Sequence, residues 1–276
     1  MSLETFKKVF HNLPKTVTQI AFGIGDIDSN PDMESIFRYC RDNTYNEVVP
    51  NVTINGARLT PEKLDFLAET CGAVAVSRYN PKDYCYNAVQ ELTNRGMKQV
   101  NIHMLLSAET YDTCLETVND AVSDKRLSAL NAIVFLAVKP AGRGKSMTPL
   151  NSIEKYRELI KHAMDSKVNI GFDSCSAPLF LKAMKDDENY KRYEMLAEPC
   201  ESYLFSIYIN SNGSAYPCSF LEAEHEGIDM TRDGLELEDF WFAPSTKQWR
   251  EELLSTAHQD DCLVKGCRQC PKYKIY

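Results

Sequence analysis

The feature that most constrains this chain is an alternation along its first two thirds: short apolar runs rich in β-branched residues, each followed by a stretch with helical periodicity. The runs occupy residues 18–22, 48–54, 73–76, 99–105, 132–138 and 168–172. Strands joined by crossover helices describe a parallel sheet covered by those helices. The periodic stretches predict helices over 31–41, 61–70, 81–93, 109–122 and 153–164, with Pro31, Pro61 and Pro81 in first turns, where an N–H is not needed. The reading is an α/β fold over residues 1–185.

The character changes after about Lys185. A charged linker, Asp186-Asp187-Glu188-Asn189, leads to an alternating stretch over 203–208, then Asn210-Ser211-Asn212-Gly213 and a second short strand up to Ser219, which is hairpin chemistry. Residues 186–276 therefore read as a small, cysteine-rich hairpin-plus-helix domain. With 276 residues, 43% of them hydrophobic, the chain can bury a substantial core. The net charge of −8 gives no electrostatic footprint for nucleic acid, so no nucleic-acid partner is expected. The N-terminal residues lack a signal-length apolar stretch and no later segment is apolar enough to span a bilayer, so a cytoplasmic protein without a membrane partner is expected.

Parallel α/β folds place their sites beyond the C-terminal ends of the strands. The polar residues expected there are Gly23-Ile24-Gly25-Asp26, Thr53-Ile54-Asn55-Gly56, Ser77-Arg78-Tyr79, Asn101-Ile102-His103, Lys139 with Arg143, and Asp173-Ser174-Cys175. Taken singly, each has a plain structural use: Gly23 and Gly25 suit a tight strand-to-helix turn, Asn55-Gly56 an ordinary turn, and Asp173 a helix cap near Ser176. Recurrence at every strand end is what argues for a shared opening. Asn101, His103, Lys139 and Arg143 suit an anionic or hydrogen-bonding substrate.

Ten cysteines are many for a reducing compartment, where clustered thiols serve metals or redox chemistry more often than disulfides. Cys200 and Cys218 bracket the hairpin, and Cys267-Arg268-Gln269-Cys270 supplies a CxxC pair, so these four are read as the ligands of one metal centre. Four thiolates bind zinc or an iron–sulfur cluster, and spacing alone does not choose between them. Cys262 is an alternative ligand. Cys40, Cys71, Cys85, Cys114 and Cys175 fall in or beside predicted helices and strands, where free cysteine packs as a small hydrophobe; Cys175, at a strand end, is the least typical of them. A dithiol redox role for Cys267 and Cys270 is weaker, because the pair does not open a helix in a thioredoxin-like context.

The pattern Cys200-x12-Gly213-x4-Cys218 with Cys267-x2-Cys270 resembles the auxiliary-cluster domain, called twitch or SPASM-like, of radical S-adenosylmethionine (SAM) enzymes. That resemblance implies an auxiliary four-iron four-sulfur (4Fe-4S) cluster and favours iron over zinc. The preceding region, residues 1–185, is similar to the radical SAM partial barrel from its second strand onward, which implies an incomplete parallel (β/α)6-type partial barrel. There Gly23, Gly25 and Asp26 stand where the family contacts the methionyl amine, Asn55 ends a Thr-Asn-Gly-like stretch, and Ser77 matches a serine near the ribose and carboxylate. The stretch from Lys139 to Gly144 resembles the passage toward the auxiliary domain. These positions imply SAM binding, with no catalytic residue assigned.

The defining Cys-x3-Cys-x2-Cys motif, which in the family holds the cluster that cleaves SAM, occurs nowhere in this sequence. Ile24 and Asp26 also replace the family's usual glycine and glutamate. The expectation is a truncated or split radical SAM enzyme that lacks its first strand. A complementing N-terminal polypeptide would supply that strand, the second 4Fe-4S cluster and competence toward SAM, for radical-based modification of an unknown peptide or small molecule. The alternative is a noncatalytic iron–sulfur or zinc scaffold or electron-transfer protein.

Overall fold

The computed structural model describes residues 1–42, 48–222 and 224–275. All six expected runs form strands: β1 Gln19–Gly25, β2 Val49–Ile54, β3 Val74–Ser77, β4 Val100–Leu106, β5 Ala132–Ala137 and β6 Ile170–Phe172. They make one sheet in chain order, every neighbouring pair parallel, with β1 and β6 at its edges. The helices between them are α2 Met33–Asp42, α3 Pro61–Thr70, α4 Asp83–Asn94, α5 Tyr111–Ser123 and α6 Ile153–Asp165. Of the three prolines expected in first turns only Pro61 is there, behind a Thr60 cap that accepts from Lys63 N; Pro31 and Pro81 precede their helices.

Alternation along the strands gives the sheet two unlike faces. Val52 and Ile54, then Ile102, Met104 and Leu106, then Ile133 and Phe135, are buried and join Leu67, Tyr86, Val89, Leu92, Val118 and Leu159 of the helices in the main core. The intervening residues, including Asn51, Thr53, Asn101 and His103, are half-buried on the opposite face. The helices thus take up the apolar face and leave the polar one for the site.

Helix α1, Leu3–His11, is absent from the sequence expectation, although Ser2 caps it by accepting from Thr5 N, Glu4 stands in its first turn and Lys8 and His11 in its last. It packs in two directions. Phe6 meets the Phe22 ring at 5.9 Å and Phe10 the Tyr39 ring at 5.5 Å, while Val9 enters a second core with Ala215, Met230, Leu235 and Phe240. The Asn12 amide donates to Met230 O and Arg232 O, both at 2.9 Å.

After β6 come α7 Ala177–Ala183 and α8 Tyr190–Leu196. The stretch expected as a linker, 186–189, is the turn between them, closed by Asp187 N to Met184 O and Tyr190 N to Asp187 O. The hairpin exists as β7 Tyr208–Ile209 and β8 Ser214–Tyr216, with an unexpected third strand, β9 Ile228–Asp229, on the other side of β8. The stretch expected to alternate over 203–208 is mostly a turn. Tyr203 has φ 54°, and Leu204 N and Phe205 N both donate to Glu201 O, because the Tyr203 ring is drawn into a cluster with Leu221 and Trp249. Helices α9 Leu237–Phe240 and α10 Pro244–Ser255 follow. Among the described residues no helix is long and apolar enough to cross a membrane.

Gly213 closes the β7–β8 turn at φ 87°, and a Cβ there would lie 2.5 Å from Thr231 Cγ2 and 3.3 Å from Val9 Cγ2. Gly213→Ala is expected to cost about 1–3 kcal/mol through strain and overlap. Thermal unfolding followed by circular dichroism measures this, and an unchanged Tm would show that the turn has room the geometry denies it.

Candidate functional site

Parallel pairing aligns the strand ends. Val76 of β3 is level with Ile54 and Ile102, and Ser77 is level with His103, which is in turn level with Val134 and Gly171. Residues level with one another in a sheet share a face. Asn55, directly after β2, Ser77 and His103 therefore form a polar row across one face, two residues below Asp173, which directly follows β6. At the β1 end, Asn55 N donates to Gly25 O at 2.7 Å. Gly25 sits at φ 66°, beyond a register shift that ends the strand.

Asp26 accepts from Arg58 and from Asp28 N, and the Arg58 hydrogen bond leads in holding its carboxyl below the ordinary range. Arg58 is largely exposed, and exposed pairs contribute little. Asp26 is thus exchangeable onto another cation. Arg78, next to Ser77, turns the other way, its guanidinium 5.6 Å from the Tyr86 ring of α4.

The four residues named as substrate contacts separate. Asn101 lies on the same face as His103 but one layer deeper, its side chain accepting from Asn131 at 2.8 Å. Arg143 is exposed in the 3-10 turn Gly142–Ser146. His103 and Lys139 belong to one group with Asp173. The Lys139 ammonium, 7% exposed, donates to Asp173 Oδ2. Asp173 Oδ1 accepts from Ala137 N at 3.2 Å and from Ser176 N and Oγ at 3.1 and 2.6 Å, so it caps the 3-10 turn Ser174–Ser176 and not, as the sequence suggests, the helix that begins at Ala177. Burial pushes Lys139 down, but the charges of Asp173 and Cys175 more than offset it. Burial lowers His103, with Asp173 pulling weakly the other way.

Lys139 also reaches the cysteine-bearing part. Its Nζ lies 5.4 Å from the Phe220 ring centroid, two residues after Cys218. Phe220 O accepts from Tyr273 OH at 2.9 Å, and Tyr273 N donates to Cys270 Sγ at 3.3 Å. Cys200 Sγ lies 3.4 Å from Ser202 Oγ, which takes the Trp249 indole N–H at 3.0 Å, and Cys200 O accepts from Arg268 Nε at 2.9 Å.

Burial pushes the Cys218 thiol up to about 11; the Phe220 N–H opposes this, and the Cys270 and Cys200 sulfurs add to it. Burial raises Cys270 too, against the N–H groups of Tyr273 and Lys272 and with the Cys200 charge. Burial raises Cys175, against Lys139 and with Asp173, Cys200 and Cys270. Cys267 has other company: burial pushes it up to about 11, against Arg268 and with Cys262 and Glu194. Cys40, Cys71, Cys85 and Cys114 are buried apart, each pushed up to about 12 by desolvation. Among the described residues, no three His, Cys, Asp or Glu side chains close around a single-ion position.

Cys175, read from sequence as the least typical of the packing cysteines, lies in the turn directly after Asp173. Helix α10, with Trp249 under Ser202, gave no signal in the sequence.

Lys139→Met would leave Asp173 without its cation in a site only 16% exposed and is expected to lower stability by about 3 kcal/mol, with Asp173→Asn in the same background recovering part of it. Urea denaturation of the metal-free chain checks both. The depressed His103 pKa means the unfolded chain takes up a proton first, so stability falls as pH drops from the ordinary histidine range toward the lower folded value. His103→Gln should flatten that slope in denaturation midpoints measured between pH 7.5 and 5, roughly the span in which histidine titrates.

No protein-family model and no curated protein sequence matches the chain. Solved structures do. Native anSMEcpe with bound AdoMet, an anaerobic sulfatase-maturating radical SAM enzyme, superposes with a TM-score of 0.63 at 13% identity, covering 98% of this chain and 79% of that one. A hexahistidine-tagged form of anSMEcpe with bound AdoMet gives 0.64 at 12%, covering 98% and 76%. Native anSMEcpe with bound AdoMet and the Cp18Cys peptide gives 0.63 at 13%, covering 98% and 80%. At these identities the likeness is one of fold: a parallel α/β sheet matching a partial radical SAM barrel, with a small second sheet.

Proposed function

We propose that this chain is the body of a radical SAM-type protein that holds one iron–sulfur centre and binds SAM along the adjoining strand ends. The observation that carries the reading is the meeting of half-buried thiols from distant parts of the chain beside the polar ends of a parallel sheet. Cys200, Cys218 and Cys270 lie within electrostatic reach of one another. Thiolates are the ligands such clusters take, and N–H donors aimed at sulfur tune them. Such N–H groups face Cys218 from Phe220 and Leu221, and Cys270 from Lys272 and Tyr273. The centre supplies electron transfer when bound; the chain's residues orient ligands and exclude water.

For SAM, Gly25, Asp26, Asn55 and Ser77 form the contiguous edge described above, with Gly23 one layer below on β1. The exchangeable Asp26–Arg58 pair offers the carboxylate to an ammonium group. His103, with Lys139 and Asp173 beyond it, lines the continuation of this face toward the thiols, where a peptide or small molecule with hydrogen-bonding groups would lie.

A second reading is favoured by one observation, the lack of Cys-x3-Cys-x2-Cys in these 276 residues. On that reading the chain binds its centre and SAM but does not cleave SAM unless a complementing polypeptide brings that motif.

Anaerobic reconstitution with ferrous iron and sulfide should give a brown protein with broad absorption in the blue, and Cys218→Ala should weaken or abolish it. A colourless protein that takes up zinc instead would remove the cluster. Equilibrium dialysis with labelled SAM should show binding that Ser77→Ala weakens about tenfold, the worth of one hydrogen bond to a charged ligand. No SAM binding by the reconstituted chain would reject the ligand face. Under reducing conditions 5′-deoxyadenosine should stay at background, and its rapid release would defeat the second reading.

A further inference from the structure

We infer that Cys175, in the turn after β6, is the fourth thiolate of the proposed centre, and that Cys267 lies outside it. The inference rests on the iron–sulfur reading and names its ligands as Cys175, Cys200, Cys218 and Cys270.

Three contacts bring Cys175 in. The Asp173 cap folds the Ser174–Ser176 turn against the sheet. Lys139 ties Asp173 to Phe220, on the stretch that carries Cys218. Phe220 O in turn holds Tyr273, whose N–H meets Cys270 Sγ. The path from residue 173 to residue 270 is thus one buried ion pair, one ring contact and two hydrogen bonds. Cys175 is half-buried, within electrostatic reach of the Lys139 ammonium and of the Cys200 and Cys270 sulfurs. A buried ammonium beside four thiolates supplies the opposite charge that such a cluster needs in a dry site.

Two contacts turn Cys267 away. Gln269 is pinned to the Thr256 hydroxyl through both N, at 3.0 Å, and O, at 3.3 Å, and Arg268 reaches back to Cys200 O and Pro199 O. Within the CxxC segment so held, Cys270 lies within electrostatic reach of Cys200, and Cys267 within that of Cys262 and Glu194. The hydrogen-bond polarity agrees. Cys270 Sγ accepts an N–H, as a thiolate ligand does, whereas Cys267 Sγ donates to Arg268 O at 3.8 Å, as a neutral thiol does.

The test is iron and sulfide content, with visible and electron paramagnetic resonance spectra, of the full chain after anaerobic reconstitution with ferrous iron and sulfide. The unmodified chain, Cys175→Ala, Cys267→Ser and Cys218→Ala are compared, each checked for folding by circular dichroism. The unmodified chain should carry about four irons and four sulfides, the content of one 4Fe-4S centre. Cys267→Ser should keep all of it, and Cys175→Ala should fall to about three irons or none, like Cys218→Ala. Full iron in Cys175→Ala, or loss in Cys267→Ser whatever Cys175→Ala does, overturns the assignment while leaving a cluster protein. Absence of iron from the unmodified chain overturns the assignment together with the reading beneath it.

Discussion

The buried ion pair between Lys139 and Asp173 is the joint on which the arrangement turns. Lys139 follows β5 and Asp173 follows β6, so the pair ties the ends of two parallel strands, and its ammonium faces Phe220 in the following part of the chain. A charge buried to this degree is tolerated only where its partner and further hydrogen bonds are in place. Asp173 meets that condition by accepting from Ala137 N and from Ser176 as well. The same contacts that neutralise the ammonium fix the turn carrying Cys175 and the direction in which the cysteine-rich segment leaves the sheet.

Helix α1 makes a second joint at the other side. Its Phe6 and Phe10 belong to the main core and its Val9 to the smaller one, so nine residues bind a parallel sheet to an antiparallel one. Gly213 then has a double reason to be glycine: its backbone is left-handed, and Val9 and Thr231 occupy the space where a side chain would go. With the Lys139 pair, α1 holds the hairpin and its two cysteines in a fixed relation to the strand ends, which is what a metal centre beside a ligand face requires.

Much of the architecture was legible in the chain itself. Runs such as 99–105 and 132–138 are apolar and β-branched because their strands are covered by helices, and each helix keeps its period because one stripe must meet that sheet. The failures have tertiary causes. The 203–208 stretch alternates like a strand, yet burial of Tyr203 against Trp249 bends it into a turn. Helix α1 is short, and its stability comes from packing on two cores that no local pattern reveals.

At the site, the sequence by itself determined which residue types were available: polar groups after nearly every strand, thiols grouped toward the C-terminus, a glycine at the hairpin turn. These follow from alternation, turn chemistry and composition, all of them local. Which thiols face one another was decided only by the tertiary structure. Cys267 and Cys270 are three residues apart, with Gln269 between them held to Thr256 and Arg268 to Cys200 O, whereas Cys175 and Cys270 are distant in sequence yet within electrostatic reach of each other. Spacing limits how far apart two side chains can be, but their direction is set by the buried charges and hydrogen bonds around them, which come from elsewhere in the chain.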